Sequence, residues 1–265
     1  MTLIALAALG SGAARAQTPR TVTVYAADYA FDAPDTIQAG ATTFHLVNRG
    51  PSRHHLTIFA LPSGMSLATF DHLMRVESGG DGIEPIGGTE SPAEGRHDAW
   101  ATLDLAPGQY VLTCMLPLPD GSGTHRSRGM FRALTVLPAA RPAPVPHADV
   151  LVRMTDFAFV SPDTLRAGQH VVRFENQGRH AHLALVLRLA PAKTLADLAA
   201  WQANGQKGPN PTTGAGGVTE MAPGRASVLR LDLEPGRYLL VCIDTDGTEP
   251  KMHAELGMVR EFTVQ

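Results

Sequence analysis

Short runs rich in apolar and β-branched residues recur along the chain, and polar segments with Gly, Pro or Asn bound most of them. This pattern is typical of β-strands. The clearest predicted strands are Thr21–Tyr25, Thr42–Val47, His55–Leu61, Val171–Phe174, His182–Leu189, Ala133–Val136 and Glu261–Val264. Apolar residues at helical spacing predict two short amphipathic helices, Leu67–Arg75 and Thr194–Trp201.

The sequence also repeats itself at an offset of 128 positions. Asp28–Phe31 (DYAF) recurs as Asp156–Phe159 (DFAF), and Leu105–Tyr110 recurs as Leu233–Tyr238. A fixed offset of this kind indicates a tandem duplication of one domain of about 115 residues. The predicted domains are residues 21–137 and 150–265, and residues 138–149 form a Pro/Ala-rich linker that should be extended.

The number of strands and the spacing of the turns define the expected fold class. Each copy holds about seven or eight short strands with turns every 8–12 residues, which is typical of a Greek-key β-sandwich. The prediction is therefore an all-β protein of two tandem sandwiches, each with one short helix insertion. Repeated Asp28 and Asp156 are interpreted as turn caps remote from any site. The Gly-rich segments 79–82 and 214–217 are interpreted as flexible connectors.

Composition and charge exclude several classes of partner. Charged residues make up 18% of the chain and hydrophobic residues 44%, which argues against a disordered or nucleic-acid-coating protein. The net charge of −3 creates no strong field of either sign, so it does not identify a partner or an oligomeric state.

The N-terminus carries the features of an export signal. The apolar run Leu3–Leu9 is followed by Ala14-Arg15-Ala16, which resembles a signal-peptidase site, although a basic n-region is missing. We therefore expect residues 1–16 to be a signal peptide, with a truncated start, and the mature protein to be periplasmic or secreted. The run is too short to span a bilayer, and no transmembrane span is expected.

The chain holds two cysteines, Cys114 and Cys242, at equivalent positions of the repeat. A disulfide between them fits poorly, because a bridge needs Cα atoms within about 7 Å and equivalent positions of two sandwiches lie further apart. A buried inert thiol is a second interpretation, since Tyr110, Leu112 and Cys114 share one face of a predicted strand.

The residues around each cysteine favour a metal site instead. Both cysteines are followed at the same spacing by His and then Met, and a further pair of His residues lies upstream, again 128 apart. The two sets are His54, Cys114, His125 and Met130, and His182, Cys242, His253 and Met258. A thiolate, two imidazoles and a thioether are soft ligands that suit copper, and two His, one Cys and a weak axial Met form the blue-copper arrangement.

Both copies resemble cupredoxins, the blue-copper fold of plastocyanin, azurin and the domains of copper nitrite reductases and multicopper oxidases. The resemblance covers nearly the whole chain after residue 16, and three features carry it. These are Asn-x-Gly before the first His, Gly-x-Tyr-x-Leu-x-Cys at Gly108–Cys114 and Gly236–Cys242, and the His-x4-Met ending. The resemblance implies that each four-residue set binds one type 1-like copper ion, one or two ions in all. It also implies a role in electron transfer or copper handling, with exported redox or copper-handling proteins as partners.

Three points remain open at the level of sequence. Ten residues separate each Cys from the following His, more than in simple cupredoxins, so a metal-free cupredoxin-like binding module is an alternative. His55 stands beside His54, and His180 stands near His182, so the first ligand of each set is not fixed. A nitrite reductase- or oxidase-like enzyme is less favoured, because His180-Ala181-His182 is the chain's one His-x-His pair, and no catalytic residue is assigned.

Overall fold

Almost all the regular structure of the chain is β-strand, as the short apolar-rich runs predict. The computed structural model describes residues 18–76, 82–92, 95–245 and 251–265. The predicted signal peptide and residues 79–81 of the first Gly-rich segment lie outside this range.

The strands and helices follow the same order in the two halves of the chain. In the N-terminal half they are β1 Arg20–Ala27, β2 Ala30–Asp32, β3 Thr36–Gln38, β4 Gly40–Asn48, β5 Leu56–Leu61, α1 Leu67–Val76, β6 Glu84–Thr89, β7 Asp98–Leu105, β8 Gly108–Thr113 and β9 Phe131–Leu137. In the C-terminal half they are β10 Val150–Thr155, β11 Ala158–Val160, β12 Thr164–Leu165, β13 Gly168–Asn176, β14 His182–Leu189, α2 Leu195–Ala203, β15 Thr212–Met221, β16 Ala226–Leu233, β17 Gly236–Val241 and β18 Val259–Val264. The predicted strands and both predicted helices are confirmed, with end points shifted by three residues or fewer.

Two large sheets face each other, and both run through the two halves. One has eight strands in the order β11-β10-β13-β16-β7-β4-β1-β2, and the other has ten in the order β12-β18-β17-β14-β15-β6-β5-β8-β9-β3. The halves are joined where β16 pairs with β7 and β15 pairs with β6, both antiparallel. The sequence pattern does not predict this pairing. It joins the two halves by main-chain hydrogen bonds as well as by the linker.

Each half has its own apolar core between the sheets. Phe44, Leu46 and Ile58 are fully buried in the N-terminal core, and Phe174 and Val186 are buried in the C-terminal one. Inward-facing apolar residues alternate with outward-facing ones along β1 and β10, as expected for strands that have one face on a core. The apolar core therefore takes one side chain in two from each of these strands.

The two helices cover the outer face of the ten-stranded sheet. Phe70 of α1 packs on Phe59 and Val111 of the sheet, and Leu198 of α2 packs on Leu239 in the equivalent place. Among the described residues, none of the helices has the length and apolarity that crossing a membrane requires.

The interpretation of residues 214–217 as a flexible connector is wrong, because they lie inside β15. The glycines of β6 and β15 allow backbones to approach closely where the halves meet. Gly88 has φ +154° and a Cβ there would lie 1.9 Å from the Leu56 carbonyl oxygen; a Cβ at Gly217, with φ +138°, would lie 2.2 Å from that of Ala184. These positions need glycine for space and for backbone conformation, not for flexibility.

Residues 138–149 contain no helix or strand. The segment packs along the start of β4, where the Ala41 N–H donates a hydrogen bond of 3.0 Å to the Ala143 carbonyl. A Cβ at Gly40 would meet Pro142 at 2.8 Å, so the contact is close.

Candidate metal centres

The first centre forms where three strand ends meet. His54 precedes β5 and Cys114 follows β8, and these strands are antiparallel neighbours in which Thr57 lies opposite Thr113. The register therefore places His54 and Cys114 at the same end of the sheet. His54 Nδ1 lies 3.0 Å from His125 Nδ1, and Cys114 Sγ lies 3.5 Å from the same nitrogen. All three side chains are buried.

The ten-residue loop between Cys114 and His125 folds back on itself. Pro117 and Thr124 form a β-bridge across the loop, and the His125 N–H donates to the Leu116 carbonyl at 2.9 Å. The next residue, Arg126, donates its N–H to the Cys114 carbonyl at 2.9 Å. The loop therefore folds back so that His125 lies next to Cys114.

The second centre repeats this geometry. His182 Nδ1 lies 3.0 Å from His253 Nδ1, and Cys242 Sγ lies 3.5 Å from His253 Nδ1. The loop again returns by main-chain hydrogen bonds, since the Ala254 N–H donates to the Cys242 carbonyl at 2.8 Å. Residues 246–250 of that loop lie outside the described residues. In each centre the three ligand atoms lie within 4.8 Å of one another.

The two methionines lie beside the cysteines and histidines. Met130 and Met258 are fully buried. The Cys114 N–H donates to the Met130 carbonyl at 3.2 Å, and the Cys242 N–H donates to the Met258 carbonyl at the same distance. Each Met N–H in turn donates to the carbonyl of the preceding His. The structure therefore brings all four residue types of each predicted set together through the main chain.

Of the alternatives left open for the first ligand, the structure brings His54 and His182 into the centres. His55 points elsewhere: its Nε2 accepts a hydrogen bond of 2.7 Å from the Met115 N–H, and its Nδ1 lies 3.6 Å from Glu90 Oε2. His180 stacks on the Phe157 ring, with ring centroids 5.6 Å apart. Both cysteines are free thiols, so no disulfide links them.

The interpretation of Asp28 and Asp156 as turn caps remote from any site is wrong. His54 Nε2–H donates to Asp28 Oδ1 at 2.7 Å, and His182 Nε2 lies 3.5 Å from Asp156 Oδ1. The cause is the parallel pairing of β1 with β4, which brings the end of β1 beside the segment that leads into the first His. Sequence spacing does not show such a pairing.

The residue after each aspartate contacts the other histidine. The Tyr29 ring packs edge-on against His125, with centroids 4.9 Å apart, and Phe157 packs in the same way against His253 at 5.1 Å. One Asp-aromatic pair therefore touches both imidazoles of each centre. The recurrence of this pair at the repeat offset is the sequence signal that could have found it.

Burial controls the protonation of the ligands when no cation is bound. It raises the pKa of the Cys114 thiol to about 11 and that of Cys242 to about 12, although main-chain N–H groups partly oppose the shift. Burial also lowers the pKa of His54 and His125, and that of His182 falls to about 4. The groups are therefore neutral near pH 7, and a bound cation would displace the thiol protons.

The donor atoms fit a single cation in each centre. A carboxylate can only accept hydrogen bonds, so neutral His54 carries its proton on Nε2 and turns the Nδ1 lone pair toward His125. Nitrogen and sulfur ligands lie about 2.0–2.3 Å from a metal ion, so atoms 3.0 and 3.5 Å apart can share one. Two imidazoles and a thiolate are soft ligands that copper and zinc favour. Among the described residues, these are the two groups of three or more His, Cys, Asp or Glu close enough to hold a metal.

The sequence matches no family model and no curated protein. Solved structures do match. A multicopper oxidase is 16% identical, with 95% of this chain and 93% of that chain covered and a TM-score of 0.29. Auracyanin from the photosynthetic bacterium Roseiflexus castenholzii is 22% identical, with 43% and 94% covered and a TM-score of 0.30. A copper-containing nitrite reductase from Thermus scotoductus is 14% identical, with 92% and 61% covered and a TM-score of 0.26. By these comparisons the chain is similar to cupredoxin-fold proteins.

Proposed function

We propose that the protein binds one copper ion in each centre, in a type 1-like arrangement, and transfers single electrons. The observation that carries the proposal is the convergence of two imidazole Nδ1 atoms and one thiol in a buried pocket, in both halves. His54, Cys114 and His125 would hold the first ion, and Met130, which lies beside them, would be a weak fourth ligand. The second set is His182, Cys242, His253 and Met258.

The burial of the ligands favours electron transfer over catalysis at the metal. The two His and the Cys of each centre are between 0% and 3% exposed, so the ligand atoms have little contact with solvent or with a substrate dissolved in it. Catalytic metal sites keep one coordination position open for water or substrate, whereas in non-catalytic sites protein ligands fill all the positions. When bound, copper supplies a one-electron couple whose potential depends on the axial ligand and on hydrogen bonding around the thiolate.

The protein's own part is to hold the ligands still. The main chain on both sides of Cys114 is fixed by hydrogen bonds to Met130 and Arg126, and the His125 N–H is fixed by Leu116. A ligand set that cannot rearrange holds nearly the same geometry for the oxidised and the reduced ion. This property suits a carrier of electrons better than a carrier that must release copper.

The proposed setting is the periplasm or the outside of the cell, and the proposed partners are exported redox or copper-handling proteins. This part rests on the predicted signal peptide at residues 1–16 and on the ligand chemistry.

Titration of the purified protein with Cu(II), followed by visible absorption and by metal analysis, tests the proposal. We expect two ions per chain and a thiolate-to-copper charge-transfer band. Cys114→Ser and Cys242→Ser should each remove one ion and part of the band, and the double variant should lose both. His72→Gln, which changes an exposed imidazole on α1, is the matched control and should bind two ions. Absence of the band and of tight copper would refute the proposal and favour a metal-free binding module.

A further inference from the structure

We propose that the charged groups next to one histidine ligand of each centre, His54 or His182, make the two centres unequal, so that copper in the first centre has the lower reduction potential. Asp28 acts as an uncompensated carboxylate behind His54, whereas Arg179 compensates Asp156 behind His182. This inference rests on the proposed copper function and goes beyond it, because it assigns the two sites different potentials and names the residues that set them.

In the first centre the carboxylate is bound directly to the ligand. Asp28 Oδ1 accepts the Nε2–H of His54 at 2.7 Å, and its other oxygen accepts a hydrogen bond from the neutral hydroxyl of Ser52. Within the described parts of the chain, His54 is the one basic side chain that pairs with Asp28. No guanidinium or ammonium group among the described residues therefore offsets the negative charge of this aspartate beside the imidazole.

In the second centre the equivalent carboxylate is turned toward an arginine. Asp156 Oδ2 accepts from Arg179 Nε at 3.0 Å, and Oδ1 accepts from the Arg179 main-chain N–H at 2.7 Å. The distance from Asp156 Oδ1 to His182 Nε2 is 3.5 Å, longer than an ordinary N–H···O hydrogen bond. The repeat offset puts Pro51 at the position of Arg179, so the first centre has no counterpart of this guanidinium.

The sign of the effect follows from the charge of the ion. A carboxylate that accepts the outer N–H of a ligating imidazole makes that ring a stronger donor and adds negative charge nearby. Both effects stabilise Cu(II) more than Cu(I), which lowers the reduction potential. In the second centre the guanidinium offsets part of this charge and the hydrogen bond is weaker, so the potential is higher. Arg179 is 89% exposed, so salt screens its contribution.

Redox titration of single-centre variants tests the inference. Cys242→Ser leaves copper in the first centre, and Cys114→Ser leaves it in the second. At low salt we expect the oxidised-to-reduced ratio at a given applied potential to be at least tenfold higher in the first centre, which equals about 59 mV for one electron. In the Cys114→Ser background, Arg179→Gln should lower the potential of the second centre toward that of the first. In the Cys242→Ser background, Asp28→Asn should raise the potential of the first.

Arg237→Gln is the matched control for charge. It removes one arginine from an ion pair with Glu261 in the same half, five residues before Cys242 along an extended strand, or roughly 16 Å away. It should leave the potential of the second centre unchanged.

The outcomes separate the two proposals. Copper bound in both centres at equal potentials, or a second-centre potential that Arg179→Gln and Arg237→Gln leave equally unchanged, would overturn this inference and leave the copper function standing. Failure of either centre to bind copper would overturn the copper function at that centre, and the inference with it. Arg179 lies on the surface, so its substitution decides the question even if Asp28→Asn does not fold.

Discussion

Substitution of Gly88 by alanine should destabilise the protein far more than an ordinary glycine substitution. A Cβ at Gly88 would lie 1.9 Å from the Leu56 carbonyl oxygen, where an ordinary contact is 3.4 Å or more, so the β5 and β6 backbones must separate by about 1.5 Å. Loss of about two ladder hydrogen bonds costs about 2 kcal/mol. The backbone conformation, with φ +154°, adds about 1–2 kcal/mol for a residue with a side chain. We therefore expect the free energy of unfolding to fall by about 3–4 kcal/mol.

Gly64→Ala is the control, because Gly64 also has a positive φ, +82°, but a Cβ added there would meet no atom within 4 Å. It should cost only the conformational part, about 1–2 kcal/mol. Urea unfolding followed by circular dichroism measures both variants. Because Leu56 lies two residues after His54, Gly88→Ala should also weaken copper binding at the first centre, whereas Gly64→Ala should not. A cost for Gly88→Ala within 1 kcal/mol of that for Gly64→Ala would refute the reasoning.

Two other substitutions have expected outcomes. Arg126→Met removes a guanidinium that is 5% exposed and donates a hydrogen bond to Asp71 of α1 at 2.6 Å. It should lower the free energy of unfolding in urea by about 2 kcal/mol and weaken copper binding at the adjacent first centre. An unchanged unfolding curve would contradict this expectation. Burial lowers the pKa of His170, but hydrogen bonds with the Arg166 carbonyl and the Asp149 carboxylate raise it above its usual value. The native protein should therefore exceed His170→Asn in free energy of unfolding by the largest amount below about pH 6.5, and this difference should be lost as the pH rises through the raised pKa of His170. A difference that does not change with pH would contradict the role given to these two hydrogen bonds.

Much of the fold could be predicted because local patterns determine it. The strand His182–Leu189 has the predicted end points, since it contains the continuous apolar run Leu183–Leu187 and Pro191 follows soon after it. Both helices follow from their apolar spacing. The Cys, His and Met sets stand out because they recur in the same order at one offset, and repetition separates such a pattern from chance.

What could not be predicted depends on contacts between distant segments. The pairing of β6 with β15 is made by main-chain groups, which leave no side-chain pattern in the sequence. The glycine content of these strands is typical of a loop. It is explained by the close approach of the Leu56 carbonyl to Gly88 and of the Ala184 carbonyl to Gly217. Asp28 contacts His54 because β1 pairs in parallel with β4, and the sequence alone does not show this pairing.

The continuity of the two sheets determines how the halves would behave if the chain were cut. Each half alone would expose unpaired strand edges at β6 and β7, or at β15 and β16, and exposed edges promote association. In the intact chain these edges cover each other, and the ion pairs Arg225–Glu84 and Arg96–Asp232 cross the same boundary. We therefore expect a chain nicked between residues 138 and 149 to migrate in gel filtration as a single particle of the original size, and separated halves to aggregate or form dimers of like halves.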